Sequence, residues 1–296
     1  MKRSSLAALA LIAVAISWGG AFVLMKDAIT QQPFYDFLAI RFTIATIVML
    51  LIRPNIFPAF TPDLLKKGFI LGLLLGGGYI TQTIGLEQTT AAITGFVTGL
   101  YVVVTPLLAW IFLRQTIDKK VIWGVALATV GLGLISITGL SVEVGQIWVM
   151  LCAVLFAAHI FGLSIYSPNS NTYALTIVQL ATVALVSWAG ALITDGYQPP
   201  PNGDVWFAVL FTAFLSTALA FFVQTWAQSI MDASRVAIIL TSEVLFTAII
   251  AVAVGQEVLG LKTIIGGAIM VAAMLIVEWP DSKNRQKLVP LEPFAH

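Results

Sequence analysis

Apolar residues run along this chain in stretches of 18 or more, interrupted at short intervals by clusters of proline, glycine, asparagine and charge. At 1.5 Å of rise per residue, about 20 such residues cross a hydrocarbon layer of ~30 Å. The pattern predicts ten membrane-spanning helices, over 6–26, 34–52, 67–88, 91–112, 121–138, 145–166, 172–193, 205–229, 234–254 and 261–279. Breaks fall where turn formers gather, as at Gln31-Gln32-Pro33, Arg53-Pro54-Asn55, Ser167-Pro168-Asn169 and Pro199-Pro200-Pro201-Asn202-Gly203. A membrane β-barrel would show short alternating segments, which continuous runs rich in Leu, Ala, Ile and Gly do not provide. The predicted class is therefore an all-α integral membrane protein.

Composition agrees with the pattern. Apolar residues are 59% of 296 and charged residues only 10%, too few to cover a water-soluble surface. The first run, Leu6 to Met25, exceeds the h-region of a signal peptide and lacks a small-residue cleavage site, so it counts as helix 1. Lone Cys152 lies inside an apolar run and reads as a small core residue. A net charge of +1 gives no sign of a nucleic-acid partner. Orientation follows from the basic residues. If the N-terminus is cytoplasmic, Lys2, Arg3, Arg53, Lys66, Lys67, Arg114, Lys119, Lys120, Arg235, Lys283, Arg285 and Lys287 fall inside, and only Lys26 and Lys262 outside. This bias predicts a multi-pass protein of the inner membrane with both termini in the cytoplasm.

Sliding the chain on itself by 142 residues places helices 3 to 5 on helices 8 to 10. Ten pairs between 78 and 127 are then identical, among them Gln82 with Gln224, Thr83 with Thr225, Ala91 with Ala233 and Gly124 with Gly266. Polar residues are rare inside spans, which gives the Gln-Thr match its weight. Five helices per unit is an odd number, so the second copy enters the membrane from the opposite side. The reading is two inverted five-helix repeats, 1–140 and 141–281, followed by a cytoplasmic tail, 282–296. Inverted repeats recur in secondary transporters, whose sites lie near the bilayer midplane.

Several motifs carry a family resemblance: Trp18-Gly19-Gly20-Ala21-Phe22, Arg41-Phe42 after Pro33, Leu86 through Ala91-Ala92 to Pro106, and Gly255-Gln256-Glu257 before Gly266-Gly267. With these the chain resembles the EamA-type, ten-helix members of the drug/metabolite transporter superfamily. The resemblance implies a transporter of small organic metabolites, often an exporter. Two positions depart from a symmetric pattern: Gln115 stands opposite Glu257, and Ala248 opposite Pro106.

A midplane site directs attention to the centres of the spans. There stand Trp18, Tyr79 with Gln82, Tyr101, Phe156 with His159, Phe221 with Gln224, and Glu243. Tyr and Trp ordinarily collect at the two interfaces, so at mid-depth their polar tips need partners or a hydrated cavity. They read as substrate-binding candidates or as satisfied core residues. Glu243 lies about ten residues into helix 9, where a carboxylate is costly unless protonated, paired or hydrated. It is the candidate for proton or cation coupling, the alternative being a neutral acid bonded within its own helix. Arg41, ~10 Å inside helix 2, can hold a substrate carboxylate, snorkel outward or bridge helices. His159 reads as a proton shuttle or a structural residue. Gly68, Gly72 and Gly76, four apart on helix 3, permit close helix contact, and Gly76-Gly77-Gly78 offers a place to flex.

These features predict a secondary transporter or facilitator, an exporter of amino acids or of aromatic or amine-bearing compounds by alternating access. It is expected to need only a small-molecule substrate and the bilayer, as a monomer, without cofactor or metal. A proton-coupled multidrug exporter is the alternative. An intramembrane enzyme is remote, because no HExxH, GxSxG, Walker or dinucleotide motif occurs.

Overall fold

The computed structural model describes residues 3–89, 91–114, 117–136, 144–194, 196–255 and 260–278. Gln115, Glu257 and the tail 282–296 lie outside the described residues. All ten predicted spans are occupied by helix, and among the described residues there is no strand. Seven span lengths fall on unbroken or nearly unbroken apolar helices long enough to cross a membrane. The outward surface is apolar: Ile193, Leu51, Leu192 and Phe112 are each about two-thirds exposed or more. That arrangement suits lipid, and inside the bundle polarity is instead hidden. Buried threonines donate back to their own helices, as Thr83 does to Tyr79 O and Thr225 to Phe221 O, both at 2.7 Å.

The first half comprises α1 (Arg3–Ala28), α2 (Phe34–Ile52), α3 (Pro62–Gln88), α4 (Ala91–Gly99), α5 (Tyr101–Leu113) and α6 (Lys119–Ser136). The second comprises α7 (Val144–Tyr166), α8 (Thr172–Ile193), α9 (Gly203–Ala213), a π-helical turn (Phe214–Leu219), α10 (Ala220–Gln228), α11 (Ala233–Leu240), α12 (Glu243–Ala253) and α13 (Leu261–Glu278). Packing follows the 142-residue correspondence. α1 lies against α12 as α7 lies against α5, and α6 pairs with its counterpart α13.

Three spans predicted as single helices are interrupted. Span 4 breaks at Leu100 (φ −61, ψ −10) and span 9 at Ser242 (φ −61, ψ −11), positions 142 residues apart with nearly identical dihedrals. Both tighten the helix by bonds to the third residue back, Val103 N to Leu100 O at 2.9 Å and Val244 N to Thr241 O at 3.2 Å. Tyr101 and Glu243 therefore begin the two half-helices α5 and α12 near the middle of their spans. Span 8 is interrupted differently. In its π turn the Ala220 N–H bonds Leu215 O and Thr217 O and passes over Ser216 O, which is left to accept from elsewhere.

Glycine sets how closely the helices approach. A Cβ on Gly19 would lie 2.7 Å from Thr247 N, so α1 and α12 touch backbone to backbone. One on Gly72 would lie 2.5 Å from Thr182 Cβ, which identifies the glycine face of α3 as its seam with α8. α3 itself continues unbroken through Gly76-Gly77-Gly78; the interruptions come at Leu100, Ser242 and the π turn instead.

Candidate functional site

The nine side chains singled out at the centres of the spans, together with Arg41, line one cavity of ≈ 50 Å³. It lies where α1, α2, α3, α5, α7, α10 and α12 meet. Trp18 comes from α1, Arg41 from α2, Tyr79 and Gln82 from α3, Tyr101 from α5, and Phe156 and His159 from α7. Phe221 and Gln224 come from α10, and Glu243 from α12. Tyr101 and Glu243 reach the cavity from the first residues of the half-helices α5 and α12.

One wall is aromatic. Phe221 is central, with ring centroids 5.5 Å from Trp18, 6.1 Å from Tyr79 and 6.2 Å from His159. Tyr79 meets Phe156 edge-on at 5.5 Å. These tilted and edge contacts are the arrangements that ring quadrupoles favour.

Arg41 is 1% exposed and bridges helices rather than snorkelling. Its Nε donates to Thr217 Oγ1 at 2.7 Å, and Nη2 makes longer contacts to Tyr79 OH (3.4 Å) and Ser216 O (3.5 Å). Nη1 approaches Met25 Sδ at 3.9 Å. The guanidinium lies 5.1 Å from the Tyr79 ring centroid, a cation-π contact in a dry setting. Among the described residues no carboxylate comes within 4.0 Å of it. Trp18 Nε1 also donates to Ser216 O, at 2.9 Å. The π turn thus supplies the carbonyl that holds both Trp18 and Arg41, a use typical of such turns at functional sites.

The opposite side carries acceptors. Glu243 is 4% exposed, and its carboxylate makes no hydrogen bond or ion pair with any described residue. Gln224 Nε2 donates to Gln228 Oε1 at 3.2 Å, while Gln224 Oε1 is buried without a partner. Gln228 Nε2 in turn donates to Ile160 O at 2.6 Å. The Tyr101 hydroxyl lacks a partner of good geometry; its loose approach to Thr241 meets an oxygen whose own hydrogen already goes to Ala237 O at 2.6 Å. Gln82 Nε2 contacts Thr98 Oγ1 at 3.2 Å. His159 Nε2 lies 2.7 Å from Gln179 Oε1, and Gln179 Nε2 donates to Leu175 O at 3.1 Å. Among the described residues no three His, Cys, Asp or Glu side chains are placed to hold a metal.

Sequence reasoning missed Ser216, Thr217, Gln179 and Gln228. The first two matter only because of a π turn, which leaves no mark in hydrophobic periodicity. Both glutamines are polar residues within apolar runs, and that signal marked Gln224 equally well; Gln228 stood too near the end of its span to be taken up.

The EamA-like transporter family profile matches this chain twice, over residues 5–137 and 143–279. An uncharacterized transporter of Archaeoglobus fulgidus is 34% identical over 270 residues, covering 91% of this chain and 84% of its own. The uncharacterized transporter YetK of Bacillus subtilis is 26% identical over 238 residues, covering 75% and 72%. A crystal structure at 16% identity superimposes with a TM-score of 0.79 over 93% of this chain and 96% of that one, which establishes a shared fold.

Proposed function

Because the chain belongs to the EamA-like transporter family and is a multi-pass membrane transporter, we propose that it is a secondary carrier. In this reading it exports small amine-bearing organic metabolites, amino acids and aromatic amines among them, by alternating access. The observation that carries the proposal is Glu243, a mid-membrane carboxylate with no partner among the described residues, facing a cavity walled by Trp18, Tyr79, Phe156 and Phe221. A carboxylate so placed is costly unless a proton or a cationic guest joins it. The aromatic wall suits the apolar body of such a guest.

Cavity size favours a carrier over a channel. A volume of ≈ 50 Å³ holds only a few waters, so an organic substrate fits only if the walls part. Each half contributes a broken helix at the same depth, Leu100 in one and Ser242 in the other. Such breaks are natural places for two rocking halves to bend.

Flux through proteoliposomes tests the proposal. Amino acids and aromatic amines are expected to exchange, and Glu243→Gln is expected to weaken their apparent affinity roughly 10- to 100-fold, the loss of one charge-assisted contact. A panel of amino acids, aromatic amines and nucleotide metabolites in which none moves would overturn the reading. Collapsing the proton gradient distinguishes coupled from facilitated export: a coupled carrier slows, and Glu243→Gln removes that sensitivity.

A further inference from the structure

Two side-chain amides behind the cavity wall fix which atoms of their neighbours are left for a ligand. Gln228 reaches the backbone carbonyl of Ile160 at 2.6 Å. A carbonyl only accepts, so the Gln228 atom there is the NH2 group and its Oε1 faces Gln224. That oxygen in turn demands the NH2 of Gln224, at 3.2 Å, and turns Gln224 Oε1 away as a buried acceptor without a partner. The same logic runs through Gln179. Its NH2 donates to Leu175 O at 3.1 Å, so Oε1 faces His159 Nε2 at 2.7 Å and that nitrogen carries the hydrogen. A neutral imidazole protonated at Nε2 keeps its lone pair on Nδ1.

Among the residues lining the cavity, α7, α10 and α12 therefore contribute three groups that accept once Glu243 is ionised: His159 through Nδ1, Gln224 through Oε1, and the Glu243 carboxylate. Three acceptors match the three N–H bonds of a primary ammonium. We infer that the cavity selects a primary ammonium group over its N-methylated counterparts, with Gln228 and Gln179 as positioning residues that hold Gln224 and His159 in the accepting orientation. The inference rests on the reading that this cavity binds an amine-bearing substrate. It names the head group and the residues that choose it.

The aromatic wall argues the other way, since ring faces attract quaternary ammonium groups. Here the Tyr79 face is already engaged by a cation. Arg41 sits over Tyr79 at 5.1 Å, and Tyr79 meets Phe156 and Phe221 edge-on. An unmethylated head also offers N–H groups to these acceptors, of which Gln224 Oε1 and the Glu243 carboxylate have no hydrogen-bond partner among the described residues, whereas a trimethylated head offers none. Leaving buried acceptors unpaired is what gives hydrogen-bonding sites their strong discrimination.

Binding to the purified protein tests this, using 2-phenylethylamine against its N,N,N-trimethyl derivative and L-phenylalanine against its trimethyl betaine. The primary member of a pair is expected to bind at least about tenfold more tightly. Gln228→Met, which cannot orient Gln224, is expected to shrink that ratio to within about threefold, while Gln228→Glu, which when protonated makes both of the same contacts, keeps it. Should Gln228→Met not yield folded protein, Gln179→Leu reads the same ratio through His159. Equal binding of the two members overturns the selectivity, and a ratio unmoved in both positioning variants overturns the positioning role of Gln228 and Gln179; both outcomes leave the carrier reading standing. Binding of neither pair overturns both.

Discussion

Thr217 and Gly19 are ordinary residues whose importance comes from what they touch. Thr217 Oγ1 is the shortest contact of the Arg41 guanidinium. Thr217→Val preserves shape and removes that acceptor, leaving a buried cationic N–H unmet. The expected cost is about 1–3 kcal/mol, visible as a lower melting temperature in detergent and as weaker transport. Gly19 stands 2.7 Å, at an added Cβ, from the backbone of α12, so Gly19→Val forces the helices apart for about 1–3 kcal/mol. Gly95 is the control. A Cβ there meets Val244 at an ordinary 3.8 Å, and Gly95→Ala is expected to leave the melting temperature unchanged.

At the scale of elements, the π turn over Phe214–Leu219 does chemical work that an α-helical turn would not. Its skipped carbonyl, Ser216 O, accepts from both Trp18 and Arg41. Deleting Leu215 returns the segment to α-helical register, ties Ser216 O back into the helix and rotates Thr217 away from Arg41. Protein carrying this deletion is expected to reach the membrane but to lose most substrate flux, which separates it from a folding defect. The periodicity of the chain located span 8 to within a few residues, yet it has no term for one extra residue in a turn. The breaks at Leu100 and Ser242 were hidden for a related reason. Gly99 directly precedes the first break and Pro106 follows it within α5, but the second break, at Ser242, has neither neighbour at the corresponding positions, where Thr241 and Ala248 stand.

For the whole molecule, the charge bias predicts the loop around Asn202 outside and the loop around Asp118 inside. A cysteine introduced at Asn202 is expected to react in intact cells with a membrane-impermeant maleimide, and one at Asp118 only after permeabilisation. Native Cys152 is fully buried and does not interfere. Reversed labelling would invert the orientation and with it the proposed direction of export.

What the sequence determined by itself was the part governed by the solvent. Lipid outside the bundle imposes runs of apolar residues long enough to cross, and those runs located all ten spans. The rarity of polar residues within them drew attention to Trp18, Arg41, Tyr79, Gln82, Tyr101, His159, Gln224 and Glu243 before any contact was known. Tertiary structure decided what each of these meets. Only packing could show that Arg41 is tied to a π turn, that Gln224 is oriented by Gln228 and His159 by Gln179, and that Glu243 is left without a partner among the described residues. Hydropathy is additive along a chain, whereas hydrogen-bond satisfaction depends on atoms brought together from helices far apart in sequence.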